Sequence, residues 1–366
     1  MKNYIIVILF LFPFLAQSQT GEDSLHTNAA NEKQTYISGY GEAMVSYDSR
    51  YRTAQANFTR AVVFVGHKFS KNISFLSETE LADARVEGGK AGGEIALEQA
   101  YLRFQLNRKM HLQAGLFIPR IGIINEKHLP TTYYGNDRPF TETFLIPSTW
   151  RELGVALYGS SDAVTGLNYS IAVVNGLDAS GFSNGTGIRG GRFEGGNATA
   201  SNIALTGSVQ YVMQHFTFQI SAYYGGSAGL TKREADSLQL NSGMFGTPVG
   251  LGEVNVQYRK DRLTAKVLFA AISIPEADKI NRAYANNTAK LSIGGYAEVA
   301  YRILKKLKTD AFIRYENFDL NSSIPKNGIK NEILKQQYII AGFSCFPTPG
   351  VVVKLDYVYK QTGDLN

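Results

Sequence analysis

Residues 351–360 read VVVKLDYVYK. Val351, Val353, Leu355, Tyr357 and Tyr359 fall on one parity, and Val352, Lys354, Asp356, Val358 and Lys360 on the other. Successive side chains of a strand point to opposite faces, so this spacing separates an oily face from a charged one; a helix would mingle the two sets. The same split recurs upstream. Leu291, Ile293, Gly295, Ala297, Val299 and Tyr301 oppose Ser292, Tyr296, Glu298 and Arg302. Phe216, Phe218, Ile220, Ala222 and Tyr224 oppose Thr217, Gln219 and Ser221, while Ala100, Leu102, Phe104 and Leu106 oppose Gln99, Tyr101, Arg103 and Gln105.

Fifteen segments follow the pattern: 36–47, 56–69, 72–82, 94–107, 110–119, 151–159, 165–175, 202–213, 215–225, 249–260, 262–273, 289–303, 309–317, 336–346 and 350–361. The split blurs in 56–69, where both parities carry apolar residues. Connections after even-numbered segments are short, and most of those after odd-numbered segments are long, including 120–150, 176–201, 226–248, 274–288 and 318–335. Short turns at one end and long loops at the other are the layout of an outer-membrane barrel. Tyr47, Tyr211, Tyr224, Tyr258, Tyr301 and Tyr359 end apolar faces, as an interfacial girdle does. The expected fold is an all-β, transmembrane antiparallel β-barrel of about 16 strands. Fifteen is an odd count, so either a sixteenth, closing strand is expected beyond residues 361–366 or one strand is split or missed in the count.

The remaining composition agrees. Of 366 residues only 19% are charged, below the ~25% usual in soluble domains, while Tyr and Phe number 21 each. A single cysteine, Cys345, excludes a disulfide framework. Met1-Lys2-Asn3, an apolar run to Leu15 and the small-x-small stretch Ala16-Gln17-Ser18 form a secretory signal peptide over 1–18, cut after Ser18. Residues 19–34 then serve as a periplasmic linker and 35–366 as the barrel. The net charge of +6 would suit nucleic acid, but an exported protein does not meet it.

By parity the lumen face carries Arg60, Lys68, Arg103, Lys266, Arg302, Arg314 and Lys354, and Glu42, Glu78, Glu80, Glu253, Glu298, Glu316 and Asp356. The signs balance, so the wall alone sets no ion preference. Loop 120–150 holds three prolines and Trp150, the only tryptophan, and its aromatics argue for a packed segment folded into the barrel. It would place Arg120, Lys127, His128, Arg138 and Arg151 at a constriction, with Glu126, Asp137, Glu142 and Glu152 as counter-charges. Arg189 and Arg192 in a second loop would add to it. The turn cations around Arg259, Lys260, Arg262, Lys305, Lys306 and Lys308 are expected to face the periplasm and to filter little. The five histidines show no ligand spacing, and no metalloprotease, nucleophile-elbow or P-loop motif occurs, so neither metal, cofactor nor catalytic set is expected.

Residues 116–155, with LFIPRIGIINEKHLP and IPSTWRELGV, together with GYAEVAY from Gly295, FIRYENFD from Phe312 and the ending VKLDY from Val353, resemble the phosphate-selective porin O and P family in its Bacteroidetes-type branch. The resemblance implies a sixteen-strand outer-membrane barrel, commonly a homotrimer, passing anions or other small solutes. The expected function is therefore passive diffusion through a charged, loop-narrowed lumen. A surface adhesin barrel and an outer-membrane hydrolase are the alternatives; the hydrolase would need His128, the histidine of an outer loop, at the rim.

Overall fold

A computed structural model of the chain describes residues 3–10, 34–82, 93–198, 200–227 and 231–363, the first stretch as backbone alone. The strands are β1 (Asn3–Phe10), β2 (Gln34–Asp48), β3 (Thr53–Lys68), β4 (Ile73–Ala82), β5 (Glu94–Gln105), β6 (Met110–Phe117), β7 (Glu152–Ser160), β8 (Leu167–Asn175), β9 (Ile203–Met213), β10 (Phe216–Gly225), β11 (Val249–Lys260), β12 (Leu263–Ser273), β13 (Leu291–Leu304), β14 (Thr309–Ser323), β15 (Lys335–Thr348) and β16 (Val351–Thr362). Each pairs antiparallel with its neighbours, and β1 pairs with both β2 and β16, closing the ring. Short helices α1 (Phe140–Phe144), α2 (Lys232–Ser237) and α3 (Ala277–Tyr284) lie in long connections. No helix among the described residues is long and apolar enough to cross a membrane.

Polarity decides what surrounds the ring. Ile171, Val173, Ile220, Val254, Val267, Phe269, Val299, Ile313 and Leu355 point outward and are exposed, whereas Glu253, Asn255, Lys266, Glu298, Arg314, Glu316, Lys354 and Asp356 point inward and are buried. A soluble barrel has the opposite arrangement. Water does not tolerate so continuous an oily belt. Hydrocarbon does, and closure pairs the backbone groups that lipid cannot serve.

Strands β2 to β16 fall on the fifteen expected segments. The blurred stretch has a cause: a register shift between Glu42 and Ala43 leaves Thr59 of β3 as an extra residue, so parity reverses there and Phe58 faces out while Arg60 faces in. A second shift lies between Glu78 and Thr79 of β4, which pair with Gln99 and Leu97 of β5. The largest boundary difference is β14, which runs to Ser323 rather than 317 and buries Phe318 and Leu320. Its upper part packs against loops, so the lipid-facing alternation that marks a strand in sequence is not imposed there.

The N-terminus departs from expectation. Asn3–Phe10, within the stretch read as a leader, occupies the ring position expected of a strand after residue 361, with Asn3 opposite Lys360 and Phe10 opposite Ala43. A run rich in isoleucine, valine and aromatics has high strand propensity, whatever else it encodes. The cleavage site at Ser18, the linker to residue 33, and residues 364–366 lie outside the described residues.

Candidate functional site

Connection 118–151, between β6 and β7, turns into the ring. Asn125 ties its stem: Nδ2 donates to the carbonyls of Pro119 (2.9 Å) and Trp150 (3.2 Å), and Oδ1 accepts from the Trp150 N–H (2.7 Å). The fully buried Trp150 donates Nε1–H to Glu152 at 2.6 Å and lies 4.8 Å from the Tyr223 ring. Ile121, Ile124, Leu145 and Ile146 are buried around it. Each such side chain contributes about 1.5–3 kcal/mol of burial, which holds an apolar plug together inside a polar tube.

The wall's charges serve the plug's backbone. Arg314 pairs with Glu298 (3.1 Å) and Glu316 (2.9 Å) and donates to the carbonyls of Tyr134 (3.0 Å) and Asp137 (3.2 Å). Glu316 accepts from the N–H groups of Phe140 (3.0 Å) and Thr141 (2.7 Å), at the start of α1. Lys354 donates to the Gly135 carbonyl (2.7 Å) and stands 3.8 Å above the Tyr133 ring. Asp356 accepts from Asn136 N–H at 2.7 Å. Gly135 has φ +80°, and a Cβ there would come 2.9 Å from Asp356 Oδ2, so only glycine lets the loop tip approach this closely. Glu142 reaches back to the N–H groups of Ile123 and Ile124 and accepts from the Tyr296 hydroxyl; burial still pushes its carboxyl up to about 7.

Two cavities remain on the short-turn side. One, of about 810 Å³, is lined by Lys68, Lys71, Arg103, Arg108, Lys109 and Arg120 beside His111, Tyr158 and Tyr169. No carboxylate is among its lining residues, although Lys109 also pairs with Asp162 on the neighbouring turn. The other, of about 630 Å³, has Lys127, Arg259, Arg262, Lys266, Arg302 and Lys308 against Asp261 and Asp310, and Arg302 pairs with Asp310. A concave wall of one sign, as in the first cavity, concentrates counter-ions, here anions.

A third cluster joins plug to wall. His128 Nε2 lies 3.0 Å from Glu78 Oε1 on β4 and 3.3 Å from Glu98 Oε2 on β5, and Nδ1 lies 3.2 Å from the Asn125 carbonyl. All three side chains are buried. Burial alone would lower the imidazole's pKa; the charge and hydrogen bond of Glu78, joined by Glu98, outweigh it and raise it to about 9.

No family model matches the chain. A protein of Aquifex aeolicus (strain VF5) is 29% identical over 350 residues, spanning 91% of this chain and 77% of that one. Among solved structures, Salmonella typhi OmpF in complex with daunomycin superposes with a TM-score of 0.51, covering 99% of this chain and 97% of its own, at 9% identity. This is a porin-type barrel. The outer membrane channel DcaP of Acinetobacter baumannii (TM-score 0.49, 9% identity, 99% and 94% covered) and the anion-selective porin from Comamonas acidovorans (0.47, 9%, 99% and 98%) are also similar. At such identities the likeness establishes the fold alone, and the phosphate-selective family stands as a resemblance.

In this porin barrel the expected constriction set does not gather into one ring. Arg120 pairs with Glu126 at 2.7 Å and faces the larger cavity, while Lys127 faces the other. Arg138 donates to Thr149 Oγ1 (2.7 Å) and the His128 carbonyl (3.3 Å). Arg151 pairs with Glu194 (2.7 Å) and lies 4.0 Å from Glu98. Arg189 donates to the carbonyls of Thr143 and Ser148, and Arg192 to those of Pro147 and Thr149, so both strap the plug's end. Of the expected counter-charges, Glu142 and Glu152 serve N–H and O–H donors instead of arginines. His128, the histidine a hydrolase would need, is buried against Glu78 and Glu98. Arg60 pairs with Glu42 (3.1 Å) and Glu80 (3.3 Å) on the wall. The turn cations Arg259, Arg262 and Lys308, expected to stand clear of solutes, line a cavity mouth. Parity counts strand faces only; it does not register that loop carbonyls engage the wall cations while the turns curl over the opening.

Proposed function

We propose that the protein is an outer-membrane channel through which small hydrophilic solutes diffuse passively, anions in preference and phosphate-like anions among them. The observation that carries this reading is a ring of antiparallel strands, oily outside, with two cavities on the short-turn side lined mainly by cations. Long-range attraction in such vestibules favours anion entry and weakens with salt. The test is reversal potential across a planar bilayer in asymmetric salt. The wild type is expected to prefer chloride and phosphate over potassium, and Lys71→Glu/Arg108→Glu is expected to cut the anion-to-cation permeability ratio roughly twofold or more. Absence of stepwise current, or a ratio indifferent to the double reversal, would remove the reading.

Residues 1–18 are, on this proposal, an export leader. That use excludes the other: a cut after Ser18 takes β1 out of the ring. N-terminal sequencing of the protein from membranes is expected to begin at Gln19; a chain beginning at Met1 would instead retain β1 as a structural strand.

A further inference from the structure

We propose that Glu78, Glu98 and His128 form a binding site for a first-row divalent cation of zinc's class, which ties the inward loop to β4 and β5. The proposal does not depend on the channel reading. Four observations converge on it. First, one imidazole N–H faces two carboxylate oxygens, at 3.0 and 3.3 Å, and can donate to only one of them; Glu98 Oε2 is buried and takes no hydrogen bond. An unserved carboxylate oxygen costs free energy that a shared cation removes. Second, the two nitrogen–oxygen separations, 3.0 and 3.3 Å, lie near the ~3.3 Å ligand–ligand edge of a tetrahedral site with bonds of ~2.0–2.1 Å. The three candidate ligand atoms all lie within 4.8 Å of one another.

Third, the outer partners are those a ligand set needs. His128 Nδ1 faces the Asn125 carbonyl at 3.2 Å, which leaves Nε2 as the coordinating nitrogen, and Gln99 Nε2 holds the second Glu78 oxygen at 2.8 Å. Fourth, Glu98 reaches the site only because of the register shift between β4 and β5. Glu78 pairs with Gln99 and Thr79 with Leu97, so Glu98 is the unpaired residue of a bulge. Regular pairing would send it to the lipid. Bulges of this kind re-aim a side chain into a site.

The nearby arginines are committed mainly to other carboxylates. Arg60 is paired with Glu42 and Glu80, and Arg151 with Glu194, its contact to Glu98 being 4.0 Å. His128 is therefore the near partner that the two carboxylates share, with Arg151 at a longer distance from Glu98. One imidazole with two carboxylates suits zinc, with a fourth position left for water. Because the ligands are buried, the ion would enter as the loop docks.

The test uses the full chain refolded into detergent with and without Zn²⁺ at mildly alkaline pH, then desalted. The wild type is expected to retain about one zinc per folded barrel, and Glu98→Gln, nearly isosteric, to bind at least ~tenfold more weakly while still showing heat-modifiable migration. Co²⁺ in the wild type is expected to show the intense visible bands of a low-coordinate nitrogen–oxygen site, a readout that needs no variant. Failure of the wild type to retain zinc, retention undiminished in Glu98→Gln, or an octahedral aquo-like cobalt spectrum would each overturn the proposal.

Discussion

Arg314→Met is expected to destabilise the folded barrel by about 3 kcal/mol and to free the tip of the inward loop. The guanidinium is fully buried and does two jobs at once. It separates Glu298 from Glu316, and it holds the carbonyls of Tyr134 and Asp137. Methionine keeps the volume but leaves two buried carboxylates and two carbonyls short of a donor. The loss sits at the low end of the range for a broken buried pair because Glu298 keeps Lys266 at 3.2 Å and Glu316 keeps Phe140 and Thr141. Reversible denaturant unfolding in detergent measures the loss. Limited proteolysis between Tyr133 and Arg138 reads the loop separately. Adding Glu298→Gln should recover part of the loss, since it removes the charge that Arg314 balanced. A single variant within ~0.5 kcal/mol of wild type would show that the wall does not depend on this ion pair.

The ring was legible in the sequence because lipid imposes one rule on every strand. Leu355 out and Lys354 in is the same instruction as Val299 out and Glu298 in, and the structure repeats it around the barrel. Legibility failed where that rule is interrupted. Thr59 and Glu98 sit at register shifts, and each reverses the parity on which the reading depends. Glu98 shares its parity with Ala100 and Leu102, so the pattern alone gives no inward place for it, and no spacing rule could join it to Glu78 and His128, three residues on three elements. β14 beyond Asn317 was missed because its outer end packs against loops, Phe318 lying 5.9 Å from Phe144, and the lipid-facing alternation does not mark it. The inward loop was legible as packed, from its aromatics, but not in its partners. Lys354 reads as a pore charge and serves a carbonyl; Arg108 reads as a periplasmic turn and faces a cavity.

Excising residues 121–148 and joining Arg120 to Thr149 through a short Gly-Ser linker is expected to give the largest functional change. Phe117 of β6 pairs with Glu152 of β7, so the stem is already a hairpin that a few residues can close without moving either strand. The excision removes the buried Ile121, Ile124, Leu145 and Ile146 from the interior, and with Glu142 the partner of the Tyr296 hydroxyl. What remains inside is the charged wall, with Leu177, Phe182 and Ile188 of the second loop still buried. A ring of this strand number then approaches an open aqueous lumen, and single-channel conductance should rise by roughly two- to fivefold. Anion preference should persist in part, because the cations of the short turns stay in place; only Lys127 is lost from the two cavities' charged lining. Stability should fall as Arg314, Glu316, Lys354 and Asp356 lose their loop partners, although water can now reach them and limit the loss. Heat-modifiable migration and β-type circular dichroism separate an open barrel from a misfolded one. A folded variant with unchanged conductance would mean that solutes travel around the plug, and the loop would then be a brace for the ring and not its constriction.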